Sequence, residues 1–195
     1  MRKTVAITLV VALAWLAYLA WPITALAALA RAVDAGDATA AMQHVDISAV
    51  RRSITEQIVD SYFKLTGKTA SPLIRGAVSS TVGSIADPIV ERIAAPGGLA
   101  EFLRDGWPTA VLPERPPGTA GLSSSSLGNA WNIFAAAEYG IRRFEIELPP
   151  TLPRDRRVVL EFRLIKWRWQ LAAVRLPDHM RVRLAEALIN ATSKR

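Results

Sequence analysis

Cysteine is missing from all 195 residues, which removes disulfides, thiolate metal sites, thiol catalysis and a lipid-modified N-terminal cysteine. Histidine is scarce: His44 and His179 are the only two, and neither has a His-x-x-x-His or Glu-x-x-His partner. A zinc or di-metal site needs several ligands converging, so no metal residue is expected. No Gly-x-Ser-x-Gly element occurs, and Ser123–Ser126 reads as low-complexity loop. Gly67-Lys68-Thr69 imitates the end of a phosphate-binding loop, but its first glycine would fall on Tyr62, and the context is a helix end. The chain thus offers no catalytic residue, no cofactor-binding residue and no cofactor.

Charge is missing from one place. Between Lys3 and Arg31 there is no Asp, Glu, Lys or Arg, and Thr4–Ala30 is almost wholly aliphatic and aromatic. A hydrocarbon core about 30 Å thick takes about 20 apolar helical residues to cross. Met1-Arg2-Lys3 is a basic entry, Val5–Ala20 a hydrophobic stretch, and Trp15, Tyr18 and Trp21 crowd its distal end, where amphipathic rings favour the interface. Pro22 suits the first turn of a new helix, with Ile23, Leu26, Leu29 and Val33 at helical spacing behind it. Two readings follow. One is a signal peptide cleaved after Ala27 or Ala30, releasing the chain to the periplasm. The preferred one is an uncleaved, single-pass inner-membrane anchor over residues 1–21, with the N-terminus cytoplasmic and the domain periplasmic, because cleavage would cut the helical stripe in two.

The formal charge of +7 is unevenly placed: residues 1–140 carry 11 basic and 11 acidic side chains, residues 141–195 carry 13 and 6. A basic C-terminal part suits anionic headgroups or an acidic partner, or is a solvated arginine-rich face. Export leaves no role for nucleic acid.

Residues 22–106 read as the helical half of one domain. Asp37 suits the cap of a helix over Ala38–His44, and Asp46 the cap of a longer one whose stripe is Ile47, Val50, Ile54, Ile58 and Leu65. Ser71-Pro72 opens a small, apolar helix running to Ala86, Asp87-Pro88 restarts or kinks it, and Leu99–Asp105 is a short helix closed by Gly106. Residues 107–129 hold Pro108, Pro113, Pro116-Pro117 and the serine run, and are expected to be an exposed loop. Residues 130–190 are the sheet and the last helix. Phe144, Ile146 and Leu148 alternate with Arg143, Glu145 and Glu147; Leu160, Phe162 and Leu164 alternate with Glu161 and Arg163. Trp167–Leu176 follows after a tight turn, and its phase slips at Ala172-Ala173, which predicts a bulge. Pro177-Asp178 starts a helix with Met180, Leu184 and Leu188 on one stripe. The fold class is α+β, with a three- to four-stranded antiparallel sheet, cystatin-like in style.

The blocks Tyr18–Pro22, Ala32–Asp37, Val45-Asp46-Ile47 with Val50-Arg51 and Ser53, and Trp169-Gln170-Leu171 to Leu176-Pro177 resemble a bacterial family, domain of unknown function 2939, over about Tyr18 to Leu188. The resemblance implies an N-terminal hydrophobic segment and supports the anchor, since the family's similarity begins inside that region. It implies no activity.

Glu145 and Glu147 sit among arginines, so salt bridges to Arg157, Arg163 or Arg168 account for them better than acid–base work. Trp167 and Trp169 share a strand face, and Trp107 and Trp131 flank the loop; an aromatic sheet could hold an apolar ligand, and core packing is the alternative. The function expected is a membrane-anchored, envelope-facing, non-enzymatic binding or scaffold module, whose partner is an apolar ligand, a lipid headgroup or an envelope protein. The competing reading is an enzyme with Glu138, Tyr139 and Arg142 beside the loop and sheet.

Overall fold

An unbroken apolar run forms one long helix, α1 (Arg2–Asp34), in a computed structural model that describes residues 2–67, 86–117, 119, 121–122, 137–149 and 152–193. The expected division at Pro22 does not occur: the proline lies inside α1. It withholds one N–H from the Tyr18 carbonyl, and the apolar residues on either side carry the helix past that loss. Residues 3–17 are exposed, Tyr18 and Leu19 are partly covered, and Leu26, Leu29, Ala30 and Val33 are buried in the core. Gly36, at φ 68°, ends the helix in the left-handed conformation that a residue without Cβ adopts freely.

Asp37 caps α2 (Ala38–Met42), accepting from the Ala40 amide at 2.9 Å, and Asp46 caps α3 (Ile47–Thr66), accepting from the Ala49 amide at 3.0 Å. The α3 stripe is Val50, Ile54, Ile58, Val59 and Phe63; Leu65, expected on it, is exposed because the buried face turns to Phe63 near the helix end. Helix α4 is described over residues 86–94. Helix α4 ends before Ala95, and Pro96 sits in the first turn of α5 (Pro96–Asp105), where its missing N–H is not needed. The expected helix start at 71–85, Lys68-Thr69, the serine run 123–126 and Trp131 lie outside the described residues.

The sheet has four antiparallel strands in sequential order: β1 (Glu138–Tyr139), β2 (Arg143–Leu148), β3 (Val158–Ile165) and β4 (Arg168–Arg175). The bulge lies where the phase slip predicts it: Glu161 pairs with Ala173 and Phe162 with Leu171, leaving Ala172 as the extra residue. One face carries Tyr139, Phe144, Ile146, Leu160, Phe162, Trp169, Leu171 and Val174 into the core, and α6 (Asp178–Ser193) adds Met180, Leu184 and Leu188. Helix α3 packs against both α6 and β4.

The outer edge of β4 is closed in two ways. His44 and Asp46 bond to Leu171 as a parallel strand would, through Leu171 N to His44 O at 2.8 Å and Asp46 N to Leu171 O at 2.9 Å. Further along, the Gln57 side chain of α3 stands in for a strand: its amide donates to Val174 O at 2.7 Å and accepts from Leu176 N at 2.8 Å. An open edge is a template for unwanted pairing, and here a single amide blocks it.

Candidate functional site

Three surfaces collect the chemistry-bearing residues. The first is the outward face of the sheet. Glu138, Glu145 and Glu161 are neighbours in register, a row of like charges that would repel if left alone. Arginines on both sides neutralise it: Glu145 pairs with Arg143 and Arg175, and Glu161 with Arg163 at 2.6 Å and Arg143 at 3.4 Å. Glu147 pairs with Arg157 at 3.0 Å. Of the partners expected for Glu145 and Glu147, Arg157 is found; Arg163 pairs instead with Glu161, and Arg143 and Arg175 take Glu145. Glu145 and Glu161 are only 7% and 5% exposed, because the arginine stems lie over them. Glu145, Glu147 and Glu161 are thus each engaged by arginine. Between this face and the polar side of α3 runs a groove of about 480 Å³ lined by Arg52, Glu56, Gln57, Asp60, Arg163 and Arg175.

The second is an open cleft of about 590 Å³ where Pro116, Pro117 and Thr119 and the short 3₁₀ turn Arg154–Arg156 face the N-terminus of α6. Behind His179 and Arg183 of its lining lies Trp107. That residue was expected to begin an exposed loop, yet it is fully buried, with Nε1–H donating to Leu112 O at 2.7 Å. The stretch after it folds back over α5: Val111 and Leu112 pack on the core, and Leu122 is buried with its amide on Leu103 O at 2.6 Å. Gly121 is required there, since a Cβ would overlap the carbonyls of Leu103 and Arg104. His179 and Arg183, one helical turn apart on α6, both face Trp107. The imidazole lies parallel to the indole at 6.2 Å, and the guanidinium carbon stands 5.7 Å from the ring centre. Burial, with Arg156 and Arg183 nearby, pushes the His179 pKa down and favours neutral imidazole. The lining carries Arg156 and Arg183 together with Asp155 and Asp178, the last paired with Arg181. Among the described residues lining it, the Thr119 hydroxyl is engaged with Arg115 and with the Pro116 carbonyl.

The third is the end of the sheet beside α1, where the Tyr18 hydroxyl donates to the Ile141 carbonyl.

Glu138, Tyr139 and Arg142 do not converge. Glu138 is exposed on the charged face of the sheet. Tyr139, the next residue, points to the opposite face and lies edge-on to Phe144 at 5.2 Å; burial raises its pKa. Arg142 donates to Leu164 O at 3.4 Å. None of the three lines the cleft or the groove. Trp169 is in the core, whereas Trp167 is in the β3–β4 turn, so the two do not share a strand face. The aromatic face of the sheet packs against the protein's own helices. His44 sits at the edge of β4, its pKa lowered by burial and by Arg168. Among the described residues no cluster of three or more His, Asp or Glu could hold a metal ion.

Helix α1 is long and apolar enough to cross a bilayer, and its position at the N-terminus also fits a signal sequence. Residues 11–102 match the family model described as Protein of unknown function (DUF2939), the family the sequence resembles. The match begins inside the apolar run, as expected, and stops before the sheet, so the Trp169–Pro177 block lies outside it. No curated protein matches the chain, and no solved structure matches it.

Proposed function

We propose that this chain is a membrane-anchored, envelope-facing binding or scaffold module of a bacterium and not an enzyme. It spans the inner membrane once, with the N-terminus in the cytoplasm and the domain in the periplasm. The observation that carries this reading is the double use of α1. Its stretch from Lys3 to Trp21, exposed but for Tyr18 and Leu19, is about 28 Å long at helical rise, close to the thickness of the hydrocarbon core. Its remainder supplies Leu26, Leu29, Ala30 and Val33 to the core. Cleavage after Ala27 or Ala30 would strip the fold of its own helix, which speaks against a released form. Arg2 and Lys3 are the basic residues at the cytoplasmic end. The cleft beside the N-terminus of α6, with both signs of charge in its lining, suits an envelope component that carries both signs itself. A topology reporter fused to the C-terminus tests the arrangement. A reporter active only outside the cytoplasm should be active, and one active only inside should be silent; the reverse pattern overturns the proposal.

A further inference from the structure

At the end of the sheet beside α1, two turns lie close together. Tyr18 bonds to Ile141 in the β1–β2 turn, and Leu164 N donates to Arg142 O at 3.0 Å, which aligns the end of β3 with that turn. The β3–β4 turn, Lys166-Trp167, therefore projects beyond it. Each turn ends in a large apolar side chain held in water: Ile141 is 86% exposed and Trp167 78%. Among the described residues after α1 these are the two most exposed large hydrophobics. The segments around them, 139–143 and 164–168, contain Arg142, Arg143, Lys166 and Arg168 and no carboxylate. The backbone of the second turn is costly as well. Lys166 and Trp167 have φ of 47° and 62°, a conformation that Asn-Gly adopts with little strain and that side chains with a bulky Cβ resist. Folding uses neither the Trp167 ring nor this turn sequence.

We propose that the two turn tips are a second membrane contact. Ile141 and Trp167 enter the boundary between headgroups and acyl chains, and Arg142, Lys166 and Arg168 meet anionic lipid phosphates. The inference rests on reading α1 as a membrane span, and the same bond that fixes the tips to Tyr18 puts them beside the Trp15, Tyr18 and Trp21 cluster where that span ends. Contact at the helix and at two tips holds the domain in one orientation above the bilayer instead of letting it swivel on a single tether.

Because the chain has no cysteine, nitroxide labels can be placed singly by Ile141→Cys, Trp167→Cys, Val10→Cys and Ala35→Cys in the full chain. The chain is reconstituted in vesicles of phosphatidylcholine and phosphatidylglycerol, and collision with oxygen is compared with collision with a water-soluble nickel complex. Val10 should be oxygen-dominated, and Ala35, just past the end of α1 and about 25 Å beyond Tyr18, nickel-dominated. Positions 141 and 167 should show an oxygen-to-nickel ratio several-fold above that of Ala35. A ratio at both tips equal to that of Ala35, with Val10 still in lipid, overturns the second contact and leaves the span standing. Nickel at Val10 overturns both. Tips shielded from oxygen and nickel alike would mean a protein partner or a second copy, and would also overturn the proposal.

Discussion

Gln57 shows how one side chain can close a sheet edge. Its amide both donates to Val174 O and accepts from Leu176 N, so Gln57→Leu strands two backbone groups of β4 and the adjoining chain. The expected cost is about 1–3 kcal/mol, read from urea midpoints. Gln57→Glu keeps the acceptor but loses the donor once ionised, so it should fall between the wild type and Gln57→Leu. In sequence Gln57 is simply a polar residue off the α3 stripe. Nothing local signals its role, because the edge it blocks is built by strands more than a hundred residues away. The histidines give a pH signature. His44 and His179 both titrate below their ordinary value of 6.5 in the fold. The unfolded chain therefore takes up protons first as pH falls, and stability declines from about pH 6.5 downward. Asp46, held below its ordinary 3.8 by Ser48 and the Ala49 amide, adds a further loss in stronger acid. Replacing both histidines with Gln should flatten the first decline and leave the second, as denaturant midpoints at about pH 7.5 and about pH 5.5 will show.

Among the elements, the strands were the most legible. Alternation placed Phe144, Ile146 and Leu148 on the core face, and the slip at Ala172-Ala173 marked the bulge. Trp167 was misassigned because parity alone sets it on the Trp169 face. The two-residue turn that removes it from the strand carries no Gly or Asn to announce itself. Lys166→Asn with Trp167→Gly supplies those residues and should raise stability by about 1 kcal/mol, while leaving the β3–β4 register unchanged by amide NMR. The charged face answers differently to its two halves. Glu145 is buried while the side chains of Arg143 and Arg175 remain about half exposed. Glu145→Gln releases arginines that water can reach, at a cost of about 1 kcal/mol or less. Arg143→Met with Arg175→Met leaves a buried carboxylate, at a cost of roughly 2–3 kcal/mol. Equal losses in thermal melts of the two variants would contradict this burial asymmetry. The long loop was the least legible element. Its Pro and Gly content correctly excluded helix and strand in the described part, but composition could not show that Trp107 and Leu122 fold back under it.

For the whole molecule, one helix joins what composition had divided. Its apolar length read clearly as a membrane segment; its continuity through Pro22 did not, since a proline in sequence is usually a boundary. A chain beginning at Pro22 keeps all four α1 core residues and should fold, whereas one beginning at Arg31 loses Leu26, Leu29 and Ala30. At about 2–5 kcal/mol for each buried leucine, that loss rivals the total stability of an ordinary domain, and circular dichroism should show the shorter fragment unfolded. The central claim is that α1 stays whole because it is both anchor and core. Intact mass of the protein taken from washed membranes tests it most directly. The account predicts a chain whose N-terminal residues through Trp21 are present and which stays with the membrane at alkaline pH. A mature chain beginning at Ala28 or Arg31, recovered in the soluble fraction, would contradict it.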